Sequence, residues 1–271
     1  MTEKNLAQTN INDLVPAGPV TIDLPALTQK EQALAVIQEN LAGMDAGKFQ
    51  FDKVKIPAGG GISFEVFDDS GEAVPVKELT GVVLDYYAIK AWWAQEFTGG
   101  KNPPDCSSMD GKTGAGSEDG AIPAGQQCKN CPYNQWGSDP KGGRGKACKD
   151  IYRIYILRER TVFPVLLALP PTSLNNWEKY VRRLTDKLIP YSGVVTTAKL
   201  VKDKNEGGIE YSKVTFAKTA ELAAAERKDI KEYIAPMRGA MRSVAIDDAE
   251  YNTEPAGQAY QDLDDDKESA Y

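Results

Sequence analysis

The most informative absence in this sequence is histidine, of which the 271 residues contain none. Without imidazole there is no imidazole general base, no Ser-His or Cys-His nucleophile pair and no His-ligated metal. Carboxylates could still catalyse, but no spacing of Asp or Glu places a metal-binding acid set on one scaffold. We therefore expect a binding protein rather than an enzyme.

Long apolar runs are also missing. No stretch of 18 apolar residues could span a bilayer, and the N-terminus lacks the apolar core of a signal peptide. Apolar residues make up 41% of the chain and charged residues 26%, which is typical of a globular protein. These features predict a cytoplasmic protein with no membrane partner.

Cysteine is scarce, and its four copies are clustered at Cys106, Cys128, Cys131 and Cys148. A two-residue spacer, as in Cys128–Cys131, lets both thiolates turn toward one cation. The surrounding stretch is rich in Gly, Pro and Ser, and residues 98–127 are too long for an untethered loop in a compact domain. We predict one structural Zn²⁺ ion bound by all four cysteines. An iron–sulfur cluster is the alternative, while disulfides are not expected without a secretory signal.

Charge is distributed unevenly along the chain. The net charge is −7, but residues 246–271 hold nine acids and one base, which leaves 31 bases (32 − 1) and 30 acids (39 − 9) elsewhere. Residues 129–160 hold eight bases and three acids, a net of +5, with aromatic residues interleaved. Cations neutralise phosphates and aromatic rings stack on unpaired bases, so this composition indicates a single-strand-binding groove.

Alternation along the strand predicted at 151–157 places Arg153 and Tyr155 on one face and Tyr152 on the other. We expect the face with Arg153 and Tyr155 to be exposed, although these tyrosines could also be core and the lysines a solvated rim. The candidate nucleic-acid contacts are Lys129, Tyr133, Trp136, Lys141, Arg144, Lys146, Lys149, Arg153, Tyr155 and Arg158.

The order of elements predicts a mainly β protein with helices, of the α+β class. Strands are predicted at 79–93, 151–157, 162–169, 194–201 and 209–216, with a helix capped by Thr172 or Ser173 between the third and fourth. That is the order of an OB-fold-like five-stranded barrel, here with a zinc-binding insertion between the first two barrel strands. The predicted parts are a flexible arm (1–28), an N-terminal helix and hairpin (29–78), the OB-like domain (79–245) with the cysteine-rich insertion (98–149), and an acidic disordered tail (246–271).

Together, these features resemble the bacteriophage single-stranded-DNA-binding proteins, over roughly residues 79–271. The resemblance lies in the predicted OB barrel, the Cys-type metal in its first long loop, the basic aromatic strand and the acidic C-terminus ending in Tyr271. It implies that the protein coats unpaired DNA in replication and recombination in the host cytoplasm. It also implies that the acidic tail recruits replication or recombination proteins. The zinc-containing phage example uses a His ligand, which this chain lacks.

A second function is compatible with the same features. A zinc-stabilised protein-interaction or transcription-associated module, without direct DNA binding, would explain the cysteines and the tail equally well. It would explain the basic aromatic stretch less well.

Overall fold

The computed structural model describes residues 22–40, 42–43, 50–57, 59–94, 103–117, 120–140, 142, 145–204, 208, 210–246 and 250. The strands are β1 Lys53–Val54, β2 Phe64–Phe67, β3 Ala73–Val76, β4 Glu78–Trp92, β5 Cys106–Ser108, β6 Thr113–Ala115, β7 Ala124–Gln127, β8 Lys149–Arg158, β9 Val165–Leu169, β10 Val194–Lys204 and β11 Glu210–Glu221. The helices are α1 Pro25–Thr28, α2 Lys30–Asn40, α3 Pro171–Thr185, α4 Ala224–Ile234 and α5 Arg238–Ser243. Within the described residues, short 3₁₀ turns span Cys128–Asn130, Pro132–Asn134 and Tyr191–Gly193. The protein is of the α+β class and is built mostly of strands, as predicted.

A seven-stranded sheet forms the centre of the molecule, in the order β1-β9-β8-β4-β10-β11, with β5 added beside β4. Every pair in it is antiparallel except β1 with β9. Within the sheet, β10, β4, β8 and β9 lie in the Greek-key order, in which the fourth strand returns beside the first. The sheet curls into a half-barrel. In the part of the chain that the structure describes, β9 and β11 do not pair.

Both faces of this sheet are buried, which explains why β4 and β8 place apolar and aromatic side chains on both faces. On one face, Ile154 and Ile156 of β8 pack with Trp177 of α3. On the other face, Tyr155 and other β8 residues pack in a cluster that holds residues of α1, α2, α4 and α5. Successive side chains of a strand point to opposite faces, and the two sets of β8 side chains are those that the alternation predicts.

Two local predictions differ from the structure. The hairpin expected between residues 49–56 and 62–67 is reduced, among the described residues, to one bridge between Lys55 and Glu65. Instead, β1 pairs with β9, and β2 pairs with β3, a strand that the sequence did not indicate. Helix α3 begins at Pro171 without a side-chain cap, and the Ser173 hydroxyl accepts a hydrogen bond from the backbone N–H of Val214.

Two predicted segment boundaries also differ. Leu24 and Ala26 are fully buried, so the arm predicted over 1–28 ends before these residues. Glu250 is buried as well, although it was assigned to a tail beginning at 246. Both ends of the domain therefore include residues whose local sequence is polar and rich in turn formers. Among the described residues, no helix has the length and apolar character that crossing a membrane requires.

Candidate metal centre and its surroundings

The four cysteines come from separate elements and converge on one cavity. Cys106 lies on β5 opposite Trp92 of β4, and Cys148 directly precedes β8. Cys128 opens a 3₁₀ turn, and Cys131 follows it. All four side chains are buried, none is in a disulfide, and all four line the same cavity. The cavity has a volume of about 10 Å³, roughly enough for one water molecule.

Backbone hydrogen bonds fix the segments that carry these cysteines. The N–H of Cys128 donates to the carbonyl of Lys112 over 2.8 Å. This bond joins the turn that carries Cys128 and Cys131, called the knuckle below, to the start of β6. The N–H of Cys131 donates to the carbonyl of Cys128 over 3.3 Å, and that of Cys148 donates to the carbonyl of Tyr133 over 2.8 Å. These backbone contacts join the cysteine-bearing segments to one another and to the segment before β6.

Gly114 packs closely against one thiol of the cavity. A Cβ atom added at Gly114 would lie 3.0 Å from the Sγ atom of Cys106, closer than real Cβ contacts normally come. A side chain at Gly114 would therefore have to displace this thiol by a few tenths of an ångström. The sequence did not single out Gly114, because its neighbourhood is rich in glycine.

Cysteine thiols are the main side chains of the cavity that could bind a metal ion. The other lining residues are Lys90, Ser107, Ser108, Gly114, Ile122, Gln126 and Asn134, and no carboxylate is among them. Burial raises the pKa of Cys148 to about 12, and burial also raises the pKa of Cys106. Thiolates here would need a compensating cation, and a set of four sulfur ligands suits zinc or an iron–sulfur cluster. In the part of the chain described, however, no three Cys, Asp or Glu side chains are arranged around a common metal position.

Ion pairs surround the cavity. Lys90, which lines it, pairs with Asp150, and the same carboxylate lies 3.1 Å from Nζ of Lys146. Lys149 pairs with Asp139 at 2.6 Å. Two of the predicted DNA-binding lysines therefore have acidic partners, which reduces the positive potential that they offer to a phosphate.

The insertion also carries a tryptophan on its surface. The Trp136 side chain is 78% exposed, and the Lys146 ammonium lies 5.0 Å from the centre of its ring. Tyr133, also predicted as a DNA contact, instead stacks on Trp92 at 4.1 Å and helps to anchor the insertion to β4. Lys129 is exposed beside the knuckle, and Arg158 is half-buried at the end of β8. Two further predicted contacts, Lys141 and Arg144, lie outside the described residues.

The prediction that Arg153 and Tyr155 are exposed is wrong, because both are fully buried. The Arg153 guanidinium donates to the Glu250 carboxylate from Nε over 2.8 Å and from Nη2 over 2.7 Å, and it also donates to the carbonyls of Val244 and Ala245. The Tyr155 hydroxyl donates to the carbonyl of Met241. The segment that follows α4 covers this face, so neither side chain can reach a nucleic acid in this structure.

Sequence reasoning missed Lys90, Asp150 and Glu250. A signal for Glu250 was present, because Arg153 interrupts the apolar run 151–157 of β8 and requires a buried partner or an exposed face. The partner lies 97 residues away along the chain, which no local pattern reveals.

No protein-family model, curated protein or solved structure matches this chain.

Proposed function

We propose that this chain is a single-stranded-DNA-binding protein with an OB-like fold, in which the four cysteines bind one structural zinc ion. The observation that carries the proposal is the arrangement of β4, β8, β9, β10 and β11, with α3 between the third and fourth of these strands. A five-stranded, partly open Greek-key barrel is the form of the OB-fold. The cysteine-rich insertion then occupies the loop between barrel strands 1 and 2.

The covered sheet face decides where DNA would bind. OB-folds bind oligonucleotides with the face of strands 2 and 3 and with the loops between strands 1 and 2 and between strands 4 and 5. Here the face that carries Arg153 and Tyr155 is occupied by the C-terminal segment. The proposed contact surface is therefore the cysteine-rich insertion, with Trp136 as the base-stacking residue and Lys129 as a phosphate contact.

The hairpin between β10 and β11 contributes little free positive charge. Lys202 and Lys204 both pair with Glu210, and Lys213 pairs with Asp203. Exposed ion pairs of this kind are weak, about 0–1 kcal/mol each, so a phosphate could compete for these lysines. The proposal therefore assigns the main contribution to Trp136 and a minor, salt-sensitive one to this hairpin.

The metal would act as a structural element. With four protein ligands there is no open coordination position for catalysis. The thiols of Cys106, Cys128, Cys131 and Cys148 would hold the zinc ion and tie the knuckle to β5 and to the start of β8. Trp136 follows the knuckle by five residues, so the position of its ring would depend on the zinc ion that joins the knuckle to β5 and β8.

The test is fluorescence anisotropy of a labelled oligothymidine with the full-length chain at several salt concentrations, beside a matched duplex. We expect preferential binding to the single strand that weakens as salt rises. Trp136→Ala should weaken it by about 1–3 kcal/mol, the contribution of one stacked base. Phe67→Ala is the matched control, because Phe67 is an aromatic residue that is 44% exposed on β2. An absence of binding at low salt by the metal-loaded chain would refute the proposal.

Specific observations favour a second candidate, a zinc-stabilised protein-interaction module. Arg153 and Tyr155 are buried, and Lys146 and Lys149 have acidic partners. In that case Trp136 would contact a protein, and the oligothymidine titration would show no binding for either the wild type or Trp136→Ala.

A further inference from the structure

The C-terminal end of α3 has a leucine where glycine is usual. The N–H of Leu188 donates to the carbonyl of Thr185 over 2.9 Å, and the N–H of Ile189 donates to the carbonyl of Leu184 over 3.0 Å. These are the two hydrogen bonds of a Schellman motif, in which the left-handed residue is commonly glycine. Leu188 has φ 57°, and its side chain is 91% exposed. The leucine therefore strains the backbone and packs little against the described residues.

Unpaired cations lie next to this leucine. The exposed basic residues of the last turns of α3 and just beyond it are Lys179, Arg182, Arg183 and Lys187. None of the four forms an ion pair with another described residue. The neighbouring acids are Asp186 and Glu178, and the Glu178 carboxylate accepts a hydrogen bond from the Tyr152 hydroxyl. Cations near a helix C-terminus favour the helix dipole, but that effect does not account for an exposed leucine.

We propose that this α3 end surface, made of Lys179, Arg182, Arg183, Lys187 and Leu188, binds the acidic C-terminal segment of this chain, residues 254–271. The segment has the complementary composition, with six of its acids between Glu254 and Glu268 and with Leu263 between Asp262 and Asp264. Acidic side chains would pair with the four cations, and a leucine would contact Leu188. Nucleic acid fits the surface less well, because none of its five residues is an aromatic that could stack on a base.

The chain is long enough for this contact. Glu250 is fixed to the sheet by Arg153, and 21 residues follow it. An extended chain covers about 3.3 Å per residue, so these residues reach on the order of 70 Å. That reach includes α3 of the same copy and of a neighbouring copy. Sedimentation of the full-length chain at low and high salt distinguishes the two, and the α3 end surface is the same in both cases.

The test uses a fluorescent peptide of residues 254–271 and the full-length chain carrying Asp262→Asn, Asp264→Asn, Asp265→Asn and Asp266→Asn. These substitutions weaken the chain's own segment as a competitor. We expect saturable binding of the peptide at low salt that weakens at high salt, and weaker binding to the wild-type chain. If this Asn-substituted chain does not bind the peptide at low salt, the proposal is overturned.

Three additional variants in the same background locate the site. Arg182→Glu with Arg183→Glu should weaken peptide binding by at least about tenfold, which corresponds to about 1.4 kcal/mol. Leu188→Gly should weaken binding while raising Tm by about 2–4 °C, since glycine relieves the strain. Lys228→Glu is the matched control, because Lys228 is 78% exposed on α4 and should leave binding unchanged.

The outcomes separate this proposal from DNA binding. Docking of the acidic segment on the α3 end surface does not depend on whether the protein binds oligothymidine. If Arg182→Glu with Arg183→Glu abolishes oligothymidine binding but leaves peptide binding intact, the surface is a nucleic-acid contact and the proposal is overturned. If Leu188→Gly raises Tm but leaves peptide affinity unchanged, Leu188 has no part in docking.

Discussion

The curled sheet and the cysteine-rich insertion are stabilised by different means. The sheet has an apolar cluster on each face, and fully buried residues such as Trp177, Ile154 and Tyr155 belong to them. The insertion has only a small cluster around its cysteines, with Ile122 as its buried aliphatic residue and Trp92 contributed from β4. About 25 cal/mol per Å² of apolar burial can therefore stabilise the sheet, whereas the insertion needs another source. The comparison indicates that the thiols substitute for a core.

If the four thiols bind zinc as proposed, the largest effect expected from this difference follows removal of the metal. Structural zinc in small domains contributes about 10–16 kcal/mol of apparent binding energy, so we expect Cys128→Ser, or chelation, to unfold the insertion while the sheet stays folded. Elemental analysis should give one zinc per wild-type chain. Limited trypsin digestion should cut rapidly after Lys129 and Lys146 in the variant.

Ser117→Ala is the control for this experiment, because Ser117 is exposed in the same insertion. It should retain the metal and the protection from trypsin. The metal-free wild-type chain could instead resist trypsin as well as the metal-loaded chain. That result would show that the thiols pack without a metal and that metal binding does not stabilise the insertion.

The next effect concerns the sheet alone. Trp177 is fully buried between Tyr86, 5.1 Å away, and Phe216, 5.0 Å away, measured between ring centres. Trp177→Ala should lower the free energy of unfolding by about 3–5 kcal/mol through the cavity that it leaves, with no change in zinc content. Urea denaturation and elemental analysis measure the two quantities.

Trp177→Phe is a matched control because it retains most of the ring. The Trp177 Nε1 atom has no hydrogen-bond partner among the described residues, and phenylalanine removes that unsatisfied group. We expect a cost below about 1.5 kcal/mol. If Trp177→Ala released zinc, the sheet and the insertion would be one cooperative unit rather than two.

The two regions also differ in how well their sequence predicts them. The apolar spacing of Leu174, Trp177, Val181 and Leu184 identified α3, and alternation identified β8 together with the side chains that share each face, because in both elements the local pattern reflects burial. Leu188, which continues the same spacing, was expected on the apolar face of α3 but lies beyond its end and is exposed. Alternation could not say which face is exposed, so Arg153 was assigned to solvent. Its burial depends on Val244, Ala245 and Glu250, which lie more than 90 residues away.

In the insertion, the cysteine spacing led to the expectation of one site, and all four thiols line one cavity. Strands β5, β6 and β7 were missed because each has only three or four residues and lacks an apolar alternation. The ion pairs of Lys90 and Lys146 with Asp150 were missed for a different reason. Side-chain pairing across a loop depends on backbone paths that composition does not specify.

The smallest effect that we predict tests how the sheet holds the end of the domain. Glu250 is 8% exposed and accepts two hydrogen bonds from Arg153, while Lys53 lies 3.1 Å from its Oε1 atom. Glu250→Gln keeps the shape but removes the charge, and hydrogen bonds to charged groups contribute about 1.5–3 kcal/mol. We expect a loss of stability of that size in urea denaturation, with zinc content and oligothymidine affinity unchanged.

Glu39→Gln, at an exposed position of α2, should change stability by less than about 0.5 kcal/mol. Equal stability of the two variants would mean that the buried pair orders the C-terminal segment without stabilising the fold.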